Sequence, residues 1–144
     1  MTVVNPIVAE DELQAALLMG LLQRQIRAEF LAEDWKGLRQ SHFRVISSVP
    51  PGGVSITELG ELLGMSKQGC GQFVTQLVDS GHLAVAPDPA DRRTRIVKRT
   101  AAGNRTIRAV TRRIRRIEAD WAARVGAERY AAFRSVLDEL ALGG

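Results

Sequence analysis

From Glu12 to Phe30 the apolar residues Leu13, Leu17, Leu21, Leu22, Ile26 and Phe30 return at three- and four-residue steps. That period belongs to a helix with one apolar stripe. Ala32 to Gly37 breaks it. A second helix is expected from about Arg39 to Val49, with Phe43, Val45, Ile46 and Val49 on its core side, and Pro50-Pro51-Gly52-Gly53 stops it. Ser55-Ile56-Thr57-Glu58 has the form of a capping box and starts a short helix with Leu59, Leu62 and Leu63 inward. Gly64 ends that helix, and Ser66 caps the next, from about Lys67 to Ser80. Two short helices joined by a glycine-containing turn form a helix-turn-helix. Gly60, four residues before Gly64, carries no side chain to hold the two helices apart.

Beyond Gly81 the period falls to two. Leu83 and Val85 on one side, Ile96 and Val97 on the other, bracket the polar run Pro87 to Arg93, as in a β-hairpin. Thr100 then caps a long helix. Ile107, Val110, Ile114, Ile117 and Trp121 share one of its faces, opposite Arg105, Arg108, Arg112, Arg115 and Arg116, with Arg113 between. A last helix, about Ala127 to Leu140, carries Tyr130, Phe133, Val136, Leu137 and Leu140. The order predicts a mainly α protein with a small β-hairpin wing (α+β), a winged helix-turn-helix plus a helical dimerisation region. No repeat or long linker divides the 144 residues, so a single domain is expected over 1–144. Its helix-turn-helix and wing would form a lobe over about 38–103, and the amphipathic helices of about 10–32 and 104–142 could associate subunits.

Composition narrows the class. With 45% hydrophobic and 25% charged residues the chain can bury a core and stay soluble. Met1 to Glu12 lacks a basic n-region, and no apolar run is long enough to cross a bilayer. We therefore expect a cytoplasmic protein without a membrane partner. Cys70 is the single cysteine, which excludes an intrachain disulfide and a CxxC motif. The two histidines, His42 and His82, stand in no metal motif, and no P-loop, GxSxG or dinucleotide fingerprint is present. Neither an enzyme nor a cofactor is expected. The net charge of +4 conceals an asymmetry: Ser66 to Arg116 holds twelve Lys/Arg and three Asp/Glu, while the remainder is net acidic. A basic block between acidic ends fits a localised polyanion site, or an arginine-rich solvated face.

The candidate interface follows from the helical phase. If Cys70, Phe73, Val74 and Leu77 face the core, then Lys67, Gln68, Gly69, Gln72, Thr75 and Gln76 face outward. A glutamine amide can pair with adenine N6/N7 in the major groove, or simply meet water. Ser66 and Lys67, at the helix start, suit phosphate contacts. Gly69 and Gly71 weaken the helix; at Gly69 the alternatives are close approach to DNA and a helix that firms up on binding. The hairpin tip, with Arg92 and Arg93 and with Arg95 on the returning strand, has the charge to enter a minor groove. Asp91 is placed either to orient an arginine or to close the turn.

The run from Asp91 to Gly103 resembles the wing of the multiple antibiotic resistance regulator (MarR) family of bacterial winged-helix repressors. Asp91, Arg93, Val97, Thr100 and Gly103 fit that family's pattern, and Arg99 departs from it where a leucine is usual. Leu59 to Leu83, ending Leu77-Val78-Asp79-Ser80-Gly81-His82-Leu83, is similar to the family's recognition helix and its exit. The resemblance covers Leu38 to Gly103 in motif and the whole chain in element order. It implies a homodimer built from the first, fifth and sixth helices. That dimer would bind double-stranded DNA at an inverted-repeat operator and regulate transcription, as a repressor. It further implies a small aromatic effector, whose pocket Trp35, Phe43 and neighbouring residues of the first helix could line, although simple core packing is the first reading of each. Some members sense oxidants through a cysteine near the first helix. Cys70 lies elsewhere and reads as a small buried hydrophobe. A winged helix that binds protein rather than DNA is the alternative, and it calls for a neutral wing.

Overall fold

A computed structural model describes residues 12–143. The start of the chain through residue 11, including the first two positions of the expected dimerisation region, lies outside the described residues. Along the chain run α1 (Ala15–Leu31), α2 (Gln40–Ser47), β1 (Val54–Ser55), α3 (Ile56–Leu63), α4 (Lys67–Asp79), β2 (Leu83–Pro87), β3 (Arg95–Arg99), α5 (Ala101–Val125) and α6 (Ala127–Leu142). The described residues fall into two compact units, divided after Gln40. In the first, Phe30 at the end of α1 meets Trp35 ring to ring, with centroids 5.5 Å apart.

The second unit holds the predicted helix-turn-helix and wing. The core-facing residues expected of α2 are all buried: Phe43, Val45, Ile46 and, just beyond it, Val49. Leu59 and Leu63 of α3, Cys70, Val74 and Leu77 of α4, and Leu83 and Val97 of the sheet are buried as well, whereas Leu62, expected inward, is exposed. Aliphatic packing of this kind supplies most of the driving force for such a lobe. The sheet has three strands, not the two of a hairpin. Antiparallel β3 lies between β1 and β2, with Val54 opposite Val97 on one side and Val85 opposite Val97 on the other. The short β1 needs Gly53, whose φ of +87° turns the chain after the proline pair and whose missing side chain leaves room for Ile96 and Lys98.

Helix α5 buries Val110 and Ile117, half-buries Ile107, Ile114 and Trp121, and exposes Arg105, Arg108, Arg112, Arg115 and Arg116. Helix α6 packs against α5 yet buries none of its own side chains fully, and Phe133, Val136 and Leu140 are exposed. Arg134 of α6 joins Glu118 of α5 at 3.3 Å and Asp138 at 3.2 Å. Among the described residues no helix is long and apolar enough to cross a membrane, and no group of His, Cys, Asp and Glu is placed to hold a metal ion.

Candidate nucleic-acid interface

The turn between α3 and α4 is set by local chemistry. Ser55 Oγ accepts from the Glu58 backbone N–H at 3.1 Å, the first half of the expected capping box. Gly64 ends α3 in the left-handed region at φ +65°, where a side chain would be strained. Ser66 Oγ accepts from the Gly69 N–H at 3.0 Å and begins α4. Gly60 allows the helices to meet: a Cβ there would stand 3.2 Å from the Met65 carbonyl oxygen and 3.6 Å from Cys70 Cβ.

Helix α4 turns Cys70, Val74 and Leu77 into the core and leaves Phe73 half-buried. Burial pushes the Cys70 thiol above its ordinary pKa. Ser66, Lys67, Gln68, Gln72, Thr75 and Gln76 lie exposed on the opposite side, with Gly69 at its edge. An open groove of about 910 Å³ runs between this helix and the sheet, lined by Gln68, Gly71, Gln72, Thr75, Gln76 and Arg95 among others. Not every outward amide is equivalent. Gln76 Oε1 lies 2.9 Å from His42 Nε2, so its side chain is held against α2, and the ring of His42 meets Phe73 edge-on at 5.5 Å. At Gly69 a Cβ would come within 3.1 Å of the capping hydroxyl of Ser66, the spacing at which Glu58 carries a full side chain beside the Ser55 cap. At Gly71 a Cβ would find no neighbour within 4 Å.

The wing loop is tied off at its base by the Asp88 N–H to Thr94 O bond at 2.8 Å. Within it, the Asp91 carboxylate accepts from the Arg93 backbone N–H at 3.1 Å and from the Thr94 hydroxyl at 3.3 Å. Of the two roles open to Asp91, turn closure is the one these bonds serve. Arg92, Arg93 and Arg95 are exposed along the loop and the strand it leads into. The far end of the wing is fixed twice. Thr100 donates to Gly81 O at 2.6 Å, takes the Gly103 N–H at 3.0 Å, and donates its own N–H to His82 O at 3.2 Å. Arg99, the departure from the expected leucine, donates Nε to Ile46 O at 2.9 Å and Nη2 to Ser47 O at 2.8 Å. It thereby gives the Ser47 carbonyl at the end of α2 a partner and adds a second donor to the Ile46 carbonyl, which also accepts from the Val49 N–H at 3.2 Å. Arg44 does the same for α3 through Leu63 O at 3.2 Å. Neither arginine could be assigned from spacing, because each partner lies many residues away.

The fold is thus a winged helix-turn-helix, with a polar helix face and a basic wing on one lobe. The family model described as MarR family matches residues 37–94, which contain α2, the helix-turn-helix and the wing as far as its tip. Solved regulators share the whole architecture. The PcaV transcriptional regulator from Streptomyces coelicolor, in complex with its natural ligand, is 21% identical, with a TM-score of 0.69 over 98% of this chain and 97% of that one. Transcriptional regulator Tm0710 from Thermotoga maritima is 25% identical, with a TM-score of 0.63 over 87% of this chain and 89% of that one. A cysteine-to-serine mutant of MarR from E. coli, complexed with operator DNA, is 17% identical, with a TM-score of 0.68 over 87% of this chain and 91% of that one. No match is found among the curated proteins. Residues 37–94 thus match the MarR family model, on a winged-helix fold that these solved regulators share.

Proposed function

We propose that this chain is a sequence-specific regulator of transcription that binds double-stranded DNA as a homodimer and represses from an inverted-repeat operator. One observation carries the reading: on one lobe, an exposed face bearing Lys67, Gln68 and Gln72 flanks a groove whose other wall carries Arg95, next to a wing tipped by Arg92 and Arg93. A helix of this width fits a major groove, and an arginine-tipped loop suits the adjacent minor groove. The likeness to a MarR fold solved on operator DNA supports it, and the basic wing argues against the protein-binding alternative. We assign Ser66 and Lys67 to phosphate contacts, Gln68 and Gln72 to bases, and Arg92, Arg93 and Arg95 to the wing's grip on DNA, with Gly69 at the helix start. Asp91 and Gln76 support that interface from behind, one closing the wing turn and the other bracing α4 against α2.

In this reading residues 38–103 form the DNA-binding lobe, and residues 10–32 and 104–142 form the dimerisation region of one domain. Phe133, Val136 and Leu140 of α6 are exposed in the single chain, an apolar face that a second copy would cover. The PcaV likeness, solved with its ligand, supports a small-molecule effector that relieves repression. We place the protein in the cytoplasm and assign it no catalytic role.

Selection of bound duplexes from a random pool, with affinity measured against salt, tests the proposal. If each protomer neutralises about four phosphates through Lys67, Arg92, Arg93 and Arg95, the log–log slope for a dimer is about −7. Enriched duplexes should be inverted repeats with half-sites about one helical turn apart. A monomer that ignores every duplex in dilute buffer would overturn the reading.

A further inference from the structure

Gln68, Gly71, Gln72 and Thr75 follow one another at steps of three, one and three, so they form a single stripe along α4. All four line the groove between α4 and the sheet. Gly71 stands in the helix interior, where glycine is among the poorest formers. Its φ is not positive, and a side chain there would strike nothing within 4 Å. Neither backbone geometry nor internal packing therefore accounts for it, in contrast to Gly60 and Gly64. Beside it Thr75 spends its hydroxyl on the Gly71 carbonyl, at 2.9 Å, which leaves the γ-methyl as the group it presents. Apart from Lys67 in the first turn, no Lys or Arg occurs on α4, so the helix lacks the bidentate donors that select guanine. Amides flank a bare stretch of helix at Gly71 instead, open to the groove.

We infer that this stripe reads an A·T step: a Gln68 or Gln72 amide pairs with adenine N6/N7, and the bare stretch at Gly71, next to Thr75, receives the 5-methyl group of a neighbouring thymine. The assignment rests on the DNA-binding reading and goes further, naming the base class and the residue that makes room for it. Thymine is the one base that carries a methyl group into the major groove, so the bare stretch and the amides suit the same base pair.

The test uses the full-length protein, its selected operator, and the same operator with deoxyuridine replacing single thymines, a change that removes only the methyl group. Wild type should lose about three- to fourfold in affinity at one such position per half-site, the worth of one buried methyl. Gly71→Ala fills that space. It should remain folded, with Tm higher by about 3 °C. It should bind the thymine operator at least about fivefold more weakly, a larger loss than it shows on mixed-sequence duplex at the same salt. The deoxyuridine operator should then bind Gly71→Ala better than the thymine operator does, a reversal of the wild-type order. Equal or tighter binding of the thymine operator by Gly71→Ala overturns the inference alone, as do selected half-sites made of G·C pairs. Failure of wild type to bind any duplex takes down the regulator reading, and this inference with it.

Discussion

The join between the wing and α5 is the part of the lobe where one methyl group should do the most damage. A Cβ at Gly103 would overlap the His82 carbonyl oxygen and stand 3.2 Å from its carbonyl carbon. Both obstacles are backbone, so a rotamer change cannot relieve them. The start of α5 must move off the Gly81–His82 segment, and the movement breaks Thr100 Oγ1 to Gly81 O and Thr100 N to His82 O. Those two bonds are worth about 1 kcal/mol each, and overpacking costs about 1–3 kcal/mol more. Alanine returns about 1 kcal/mol of helix propensity. The net loss for Gly103→Ala is about 2–4 kcal/mol, a large part of a domain's total stability. Urea unfolding at fixed protomer concentration measures it, because dimer stability depends on concentration. With m about 2 kcal/mol/M, the midpoint should fall by about 1–2 M. Gly71→Ala is the matched control: it has the same gain in propensity and no neighbour to strike, so its midpoint should rise. A Gly103→Ala midpoint at or above that of wild type would refute the reasoning.

Two further outcomes follow from side chains in the same lobe. Arg99→Leu restores the residue usual in the family but leaves the Ile46 and Ser47 carbonyls without the guanidinium. Stability should fall by about 1–2 kcal/mol in urea unfolding, with Arg99→Lys in between; an unchanged midpoint for the leucine variant would mean that the capping bonds contribute nothing. The buried Cys70 thiol titrates above its ordinary range because burial penalises the thiolate. The folded state then holds the proton that the unfolded state gives up, so this contribution to stability is complete at neutral pH and is lost as pH rises above about 8.5. Labelling by iodoacetamide at pH 7.5 should be slow in the native protein and fast in urea; native labelling at the rate of a free thiol would contradict the burial.

Most of the lobe was legible because its elements announce themselves locally. The apolar spacing of α2 and α4, the serine caps before α3 and α4, and the glycine at the turn all act within a few residues, where pattern and physics coincide. What could not be read depends on partners distant in sequence. Strand β1 is two residues long and exists only because β3 offers it a ladder, so no alternation could announce it. Helical phase put Gln76 outward, correctly, but phase says nothing of His42 waiting on another helix. For the same reason Arg99 looked like a mismatch at the wing's base, when its side chain serves the end of α2, more than fifty residues back.

The glycines show the limit most sharply. In sequence Gly69 and Gly71 looked alike, two weak points in one helix, and Gly69 drew attention by standing nearer the helix start. In the fold they separate: Gly69 sits beside the capping hydroxyl of Ser66, and Gly71 faces the open groove with no neighbour in its own chain. Position 71 therefore ties stability to recognition with opposite signs, and a variant that raised both would show that the glycine has no role in binding.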